Sequence, residues 1–126
     1  MEIDPTVVTE IISLYRKYKD TTPPPRLIDS LDGVGTSTEF DEFDTTNFYV
    51  EKIMKVIHKL TPNERAELIA IMLLGRNEGP QVGFDIFLHD AKAISSSFKN
   101  DALYLIGKRK LDVYLKEGLK RLAAQS

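Results

Sequence analysis

Few residues in this chain are of types that do chemistry, and their spacing narrows them further. There are two histidines, His58 and His89, and no cysteine. His89 follows Asp85 by four, which sets both side chains on one face of a helix and supplies two of the ligands a metal ion needs. No third ligand of the right kind follows at motif spacing, so the pair reads as an ordinary surface pair and no metal is expected. The oxygen-rich stretches DSLDGVGTSTEFDE and NEGPQVGFD do not fit the spacing of a calcium loop. Ser95, Ser96 and Ser97 have no adjacent base and read as helix-end residues. There is no phosphate-cradling glycine loop, nucleophile elbow or dinucleotide fingerprint. No cofactor and no catalytic residue is therefore expected, and an enzyme would need a site assembled from distant segments.

The cations are the remaining candidates. Arg76 stands at the end of an apolar helix beside a turn, where it can face a groove or complement the last helical carbonyls. Lys108, Arg109, Lys110, Lys116, Lys120 and Arg121 crowd the C-terminal part of the chain, a pattern that suits phosphate contacts. Asp112 precedes Lys116 by four and Glu117 precedes Arg121 by four, so part of that charge is answered locally. A nucleic-acid reading then rests on Lys108, Arg109 and Lys110, and it ranks second. The leading reading is a non-enzymatic protein-interaction module that binds a protein partner or a second copy of itself. It is motivated by one strongly apolar helix and by the aromatic residues Phe40, Phe43 and Phe48.

These residues need a scaffold, and the whole chain limits its kind. With 126 residues and 42% hydrophobic content, one ordinary core can form without metal or disulfide support, which implies a single domain over 1–126. A formal net charge of -2 argues against an overall polyelectrolyte partner. The opening MEIDP carries acids where a signal peptide needs positive charge, and no apolar run approaches the roughly 20 residues of a membrane span. Together with the absence of cysteine, this sets the expectation of a soluble cytoplasmic protein with no membrane partner.

Hydrophobic periodicity predicts an all-α fold of five to six helices. Residues 6–18 form the first, with Asp4 as N-cap, Pro5 at its first position and Val7, Val8, Ile11, Ile12, Tyr15 and Tyr18 at helical spacing. A long acidic loop containing prolines and glycines follows over 19–46. Residues 47–60 carry Tyr49, Ile53, Val56, Ile57 and Leu60 on one stripe. Thr61-Pro62-Asn63-Glu64 is a capping box that starts the next helix, about 62–75. Its second half is apolar around nearly the full circumference, as in a helix surrounded by others. This helix is expected at the centre of the bundle, with Gly75 ending it.

A fourth helix spans 84–95 with Phe84, Phe87, Leu88, Ala91 and Ile94 inward. Asn100 caps a short helix that runs through Leu105 and ends at Gly107. Leu111, Leu115, Leu119 and Leu122 build the last helix. Gly118 interrupts that helix beside its apolar stripe, where a missing side chain lets another helix approach closely, and the central helix is the natural neighbour.

Three segments together, LTPNERAELIAIMLLGRN, HDAKA and ALYLIG followed by LDVYLKEGL, resemble the bacterial family catalogued as domain of unknown function 3775. The resemblance covers residues 50–122. Gly75 and Arg76 match its Leu-Gly-Arg. Tyr104, Leu105 and Gly107 match its Tyr-Leu-Leu-Gly, and Tyr114, Leu115, Glu117, Gly118 and Leu119 match its closing motif. Leu73 stands where many relatives have Trp and Asn77 where they have Gly. Lys108-Arg109-Lys110 replaces small, Pro and apolar residues, so a basic patch there would be particular to this chain. The resemblance implies a small all-helical protein with no established activity.

Overall fold

A computed structural model describes residues 1–21, 47–79 and 82–125. Six helices account for most of them: α1 (Pro5–Thr21), α2 (Phe48–His58), α3 (Pro62–Arg76), α4 (Phe84–Ile94), α5 (Phe98–Ile106) and α6 (Leu111–Gln125). No strand occurs among the described residues. Helix α1 continues three residues beyond the expected boundary, so Lys19, Asp20 and Thr21 belong to it and not to the acidic loop. Residues 22–46, with Phe40 and Phe43, lie outside the described residues.

Local chemistry sets the starts of α1, α2, α3 and α5. The Asp4 carboxylate accepts the Thr6 N–H at 2.9 Å ahead of Pro5. That backbone bond, seconded by the Thr6 side chain, holds the exposed Asp4 carboxyl below its ordinary pKa. Asn47 caps α2 by accepting from the N–H groups of Tyr49 and Val50. Thr61 and Glu64 close the capping box of α3 in both directions, at 3.1 and 2.9 Å. Helix α5 starts earlier than its sequence suggests, because Ser97 is the N-cap and Asn100 donates to it from inside the first turn.

Packing places α3 at the centre. Every residue from Arg65 to Leu74 is buried, and α4, α5 and α6 all pack against this helix. Fully burying each of Leu68, Ile69, Ile71, Met72 and Leu74 is worth about 1.5 to 3 kcal/mol, so α3 contributes more apolar burial than any other helix. Helix α1 packs on α2 and α6, and α2 continues onto α5. Helices α1, α2, α5, α3 and α6 thus close a ring of contacts. Helix α4 leans principally on α3, outside that ring.

A close backbone approach joins α3 to α6, and two glycines make it. A Cβ on Gly118 would penetrate the carbonyl oxygen of Ile71 and come within 2.8 Å of the Ile71 Cγ2. A Cβ on Gly75 would penetrate the carbonyl oxygen of Tyr114 and lie 2.7 Å from the backbone nitrogen of Gly118. Ile71 and Gly75 are one turn apart on α3, as are Tyr114 and Gly118 on α6, so rows of i, i+4 spacing meet across the crossing. Gly118 thus has the packing role its sequence suggests. Gly75 does not end the helix, which continues to Arg76; its role is to admit the α6 backbone.

In an open helix, Gly→Ala is favoured by about 1 kcal/mol. Here the clashing atoms are backbone, which cannot rotate away. Gly118→Ala and Gly75→Ala are each expected to lower the unfolding free energy by about 2 to 3 kcal/mol. Urea denaturation followed by circular dichroism checks this, and a gain in stability in either variant would contradict the close crossing.

Candidate functional site

Ionisable side chains usually stay at the surface, so those inside the bundle show what the fold demands of them. Glu67, in the middle of α3, is buried and accepts the backbone N–H groups of Glu2 (2.9 Å to each oxygen) and Ile3 (2.7 Å). Its carboxylate fixes the segment preceding α1 onto the central helix, with the Ile3 side chain buried alongside. Arg65, half a turn earlier, donates from Nε to Asp101 Oδ2 at 2.9 Å and from Nη1 to the Leu60 carbonyl at 3.1 Å. Asp101 also accepts from the Ser95 hydroxyl at 2.6 Å and the Ser96 N–H at 2.9 Å. One buried pair therefore ties the α2–α3 turn to the α4–α5 turn.

The third buried acid, Asp112, meets Arg16 at 3.4 Å and Lys19 at 3.1 Å, both from α1. The expected Asp112 and Lys116 pairing within α6 gives way to this cross-helix contact, because Asp112 faces α1 while Lys116 is exposed. Glu117 and Arg121 do pair, at 3.2 Å. Among the described residues no buried side-chain polar atom lacks a partner. Burying charge is costly unless it is hydrogen-bonded, and Glu67, Asp112 and the Arg65–Asp101 pair each join one segment to another.

The sequence-derived candidates fall in different places. Arg76 is exposed at the end of α3, and the helix-terminating role expected of it belongs to another arginine. Arg121 of α6 donates from Nη1 to the carbonyls of Leu74 (2.8 Å) and Asn77 (2.6 Å), which are the ends α3 leaves without helical partners. The Gly75–Gly118 crossing brings it there. One turn on, Gln125 accepts the Phe84 N–H and donates to the Val82 carbonyl, both at 3.0 Å, fixing the start of α4.

Lys108 is buried, with its ammonium 4.5 Å from the Tyr104 ring centroid, and its carbonyl accepts a short hydrogen bond from the Tyr15 hydroxyl. Arg109 and Lys110 are exposed at the α5–α6 turn. The basic run is therefore split, and Lys108 is withdrawn from any surface its two neighbours form. Asp85 and His89 are both exposed, and no three His, Cys, Asp or Glu side chains among the described residues are grouped to hold a metal ion.

Two surface features have no place among these candidates. Helix α4 is largely apolar, yet only Ala91 is fully buried; Ile86 is 52% exposed and Ile94, expected inward, is 40% exposed. The reason for the Ile94 correction is that α4 has one principal neighbour, too narrow to cover an apolar arc of that width. The solvent face of α2 and its C-cap carries Phe48, Lys52, Lys55 and Lys59 at i, i+4, i+7 and i+11. This stripe was readable by the same periodicity that marks the buried face, applied to the polar residues.

The Arg65–Asp101 pair generates a direct test. Removing one partner strands a buried charge, so Asp101→Ala is expected to cost about 3 to 5 kcal/mol. Replacing both with apolar residues, as in Arg65→Met with Asp101→Ala, should cost clearly less than the sum of the single changes. Urea denaturation of the four proteins in the cycle measures it; strictly additive losses would show that the two groups do not act as a pair.

Similarity to known proteins adds one finding. The family model described as "Protein of unknown function (DUF3775)" matches residues 50–123, from the third residue of α2 nearly to the end of α6. No curated protein and no solved structure is detectably similar to the chain.

Proposed function

Because the chain belongs to this family of unknown function, its own geometry has to supply a reading, and we propose that it is a helical interaction module that self-associates through α4. The observation behind this reading is the mismatch between the composition of α4 and its burial. Of seven apolar residues in a helix of 11, Ala91 is buried and Phe84, Phe87 and Leu88 pack partly covered against the core, while Ile86, Ala93 and Ile94 stay exposed. Apolar side chains on one outlying helix favour a partner surface, since each large one removed from water is worth about 1.5 to 3 kcal/mol.

A second copy suits this face. An antiparallel two-fold pairing of α4 with α4 sets the acidic first turn of one helix, with Asp85, toward the basic last turn of the other, with Lys92. Asp90 lies on the same ridge between Ile86 and Ile94 and is exposed. A carboxylate at that position weakens the pairing and makes it reversible. Glu67, Arg65, Asp101 and Asp112, each engaged in holding segments together, fit a module whose role lies in its surface.

Light scattering after size exclusion at several protein concentrations tests the reading. The expected result is a monomer–dimer equilibrium that Ile86→Glu combined with Ile94→Glu shifts fully to monomer, with unchanged helicity because both side chains are already exposed. A wild-type chain that stays monomeric at every concentration contradicts it.

A further inference from the structure

The geometry points to a second binding surface on the opposite character of helix, the solvent face of α2, and to single-stranded nucleic acid as the ligand that fits it. Phe48, Lys52, Lys55 and Lys59 run in one line along the helix, about 16 Å from first to last at helical rise. Phe48 is 60% exposed, with the Lys52 ammonium 4.6 Å from its ring centroid. At the far end His58 packs edge-on against Phe98 of α5, with ring centroids 4.1 Å apart, and Phe98 remains 38% exposed. Lys99 follows it and is exposed.

Among the described residues, the charge on this face is largely uncompensated. None of Lys52, Lys55, Lys59 or Lys99 forms an ion pair among the described residues. The nearby acids are otherwise engaged: Glu64 closes the capping box of α3, and Asp101 is buried on Arg65. Glu51 is the exposed carboxylate of α2 itself, and it leaves the face with a clear excess of positive charge. A line of cations bracketed by two exposed rings has the chemistry of a single-strand site, in which cations follow the phosphates and rings stack on unpaired bases. A duplex would engage only the cations, because its bases are already stacked on one another. The surface lies on a different helix from the α4 face, so it stands or falls independently of self-association.

Fluorescence anisotropy of a labelled oligothymidylate titrated with the full chain tests this, with labelled polyglutamate and a labelled duplex as parallel probes. Oligothymidylate should bind at low salt, with the logarithm of affinity falling against the logarithm of salt with a slope of about -3 for four cations on a single strand. Lys52→Glu combined with Lys55→Glu should reduce affinity roughly tenfold or more and flatten that slope. Phe48→Ala and Phe98→Ala should each weaken oligothymidylate about fivefold or more while leaving the slope and the binding of polyglutamate unchanged. All these side chains are exposed, and circular dichroism verifies that the variants keep their fold. The inference is overturned if oligothymidylate does not bind at low salt or if the lysine variant binds as the wild type does. It is equally overturned if polyglutamate or duplex binds as tightly and the phenylalanine variants change nothing, which would make the face a general polyanion or acidic-peptide surface.

Discussion

The backbone-to-backbone approach of α3 and α6 at Gly75 and Gly118 is the constraint on which the other contacts depend. Helices with side chains at the crossing stand about 8 to 10 Å apart, and glycine at both positions allows less. That closeness brings Arg121 within reach of the carbonyls at the end of α3 and brings Gln125 to the first turn of α4. The last two turns of α6 therefore finish one helix and start the next. A wider crossing would leave the C-terminal carbonyls of α3 without these partners and α4 without its anchor.

Around that crossing, the buried charges work as registration points. Glu67 holds the N-terminal segment, Arg65 and Asp101 hold two turns together, and Asp112 receives two cations from α1. Apolar packing alone tolerates sliding, since one buried aliphatic contact is much like another. A buried carboxylate that must keep specific donors does not. The net contribution of such pairs to stability is small or even unfavourable compared with apolar replacements, while the loss of one partner is severe. Their role in this chain is best understood as selecting one arrangement of helices.

The elements that were legible in the sequence are those whose causes are local. Apolar spacing marked the buried faces of α1, α2 and α6; the Thr61–Glu64 capping box marked the start of α3; and the all-round apolarity of α3 marked it as central. Gly118 was interpretable because it breaks propensity beside an apolar stripe. Gly75 looked like a helix stop because termination and close packing use the same residue, and only the position of α6 distinguishes them. In the same way, Arg76 is the arginine that the sequence offers to the end of α3, and only the crossing brings Arg121 of α6 to those carbonyls. Asp112 had an intrahelical partner on paper and a cross-helix partner in space. The burial of Lys108 depends on Tyr104 and Tyr15 lying around it, which no short-range pattern encodes. Ile94 was assigned inward from its azimuth, but burial also needs a neighbour wide enough to cover it.

The family match covers residues 50–123 and brings no activity with it, so function rests on the surfaces of this chain. Both surfaces singled out here lie on helices outside the α3–α6 crossing, which leaves the crossing free to act as a rigid support. Stability is expected to be concentrated at α3 and its contact with α6, with α4 held more lightly at the edge. Native-state amide hydrogen exchange tests it most directly. The amides of Leu68 to Leu74 should exchange only through global unfolding, with a free energy equal to that from denaturant titration, while those of α4 should exchange through a local opening of distinctly lower free energy. Equal protection of α4 and α3, or weaker protection of α3, would contradict it.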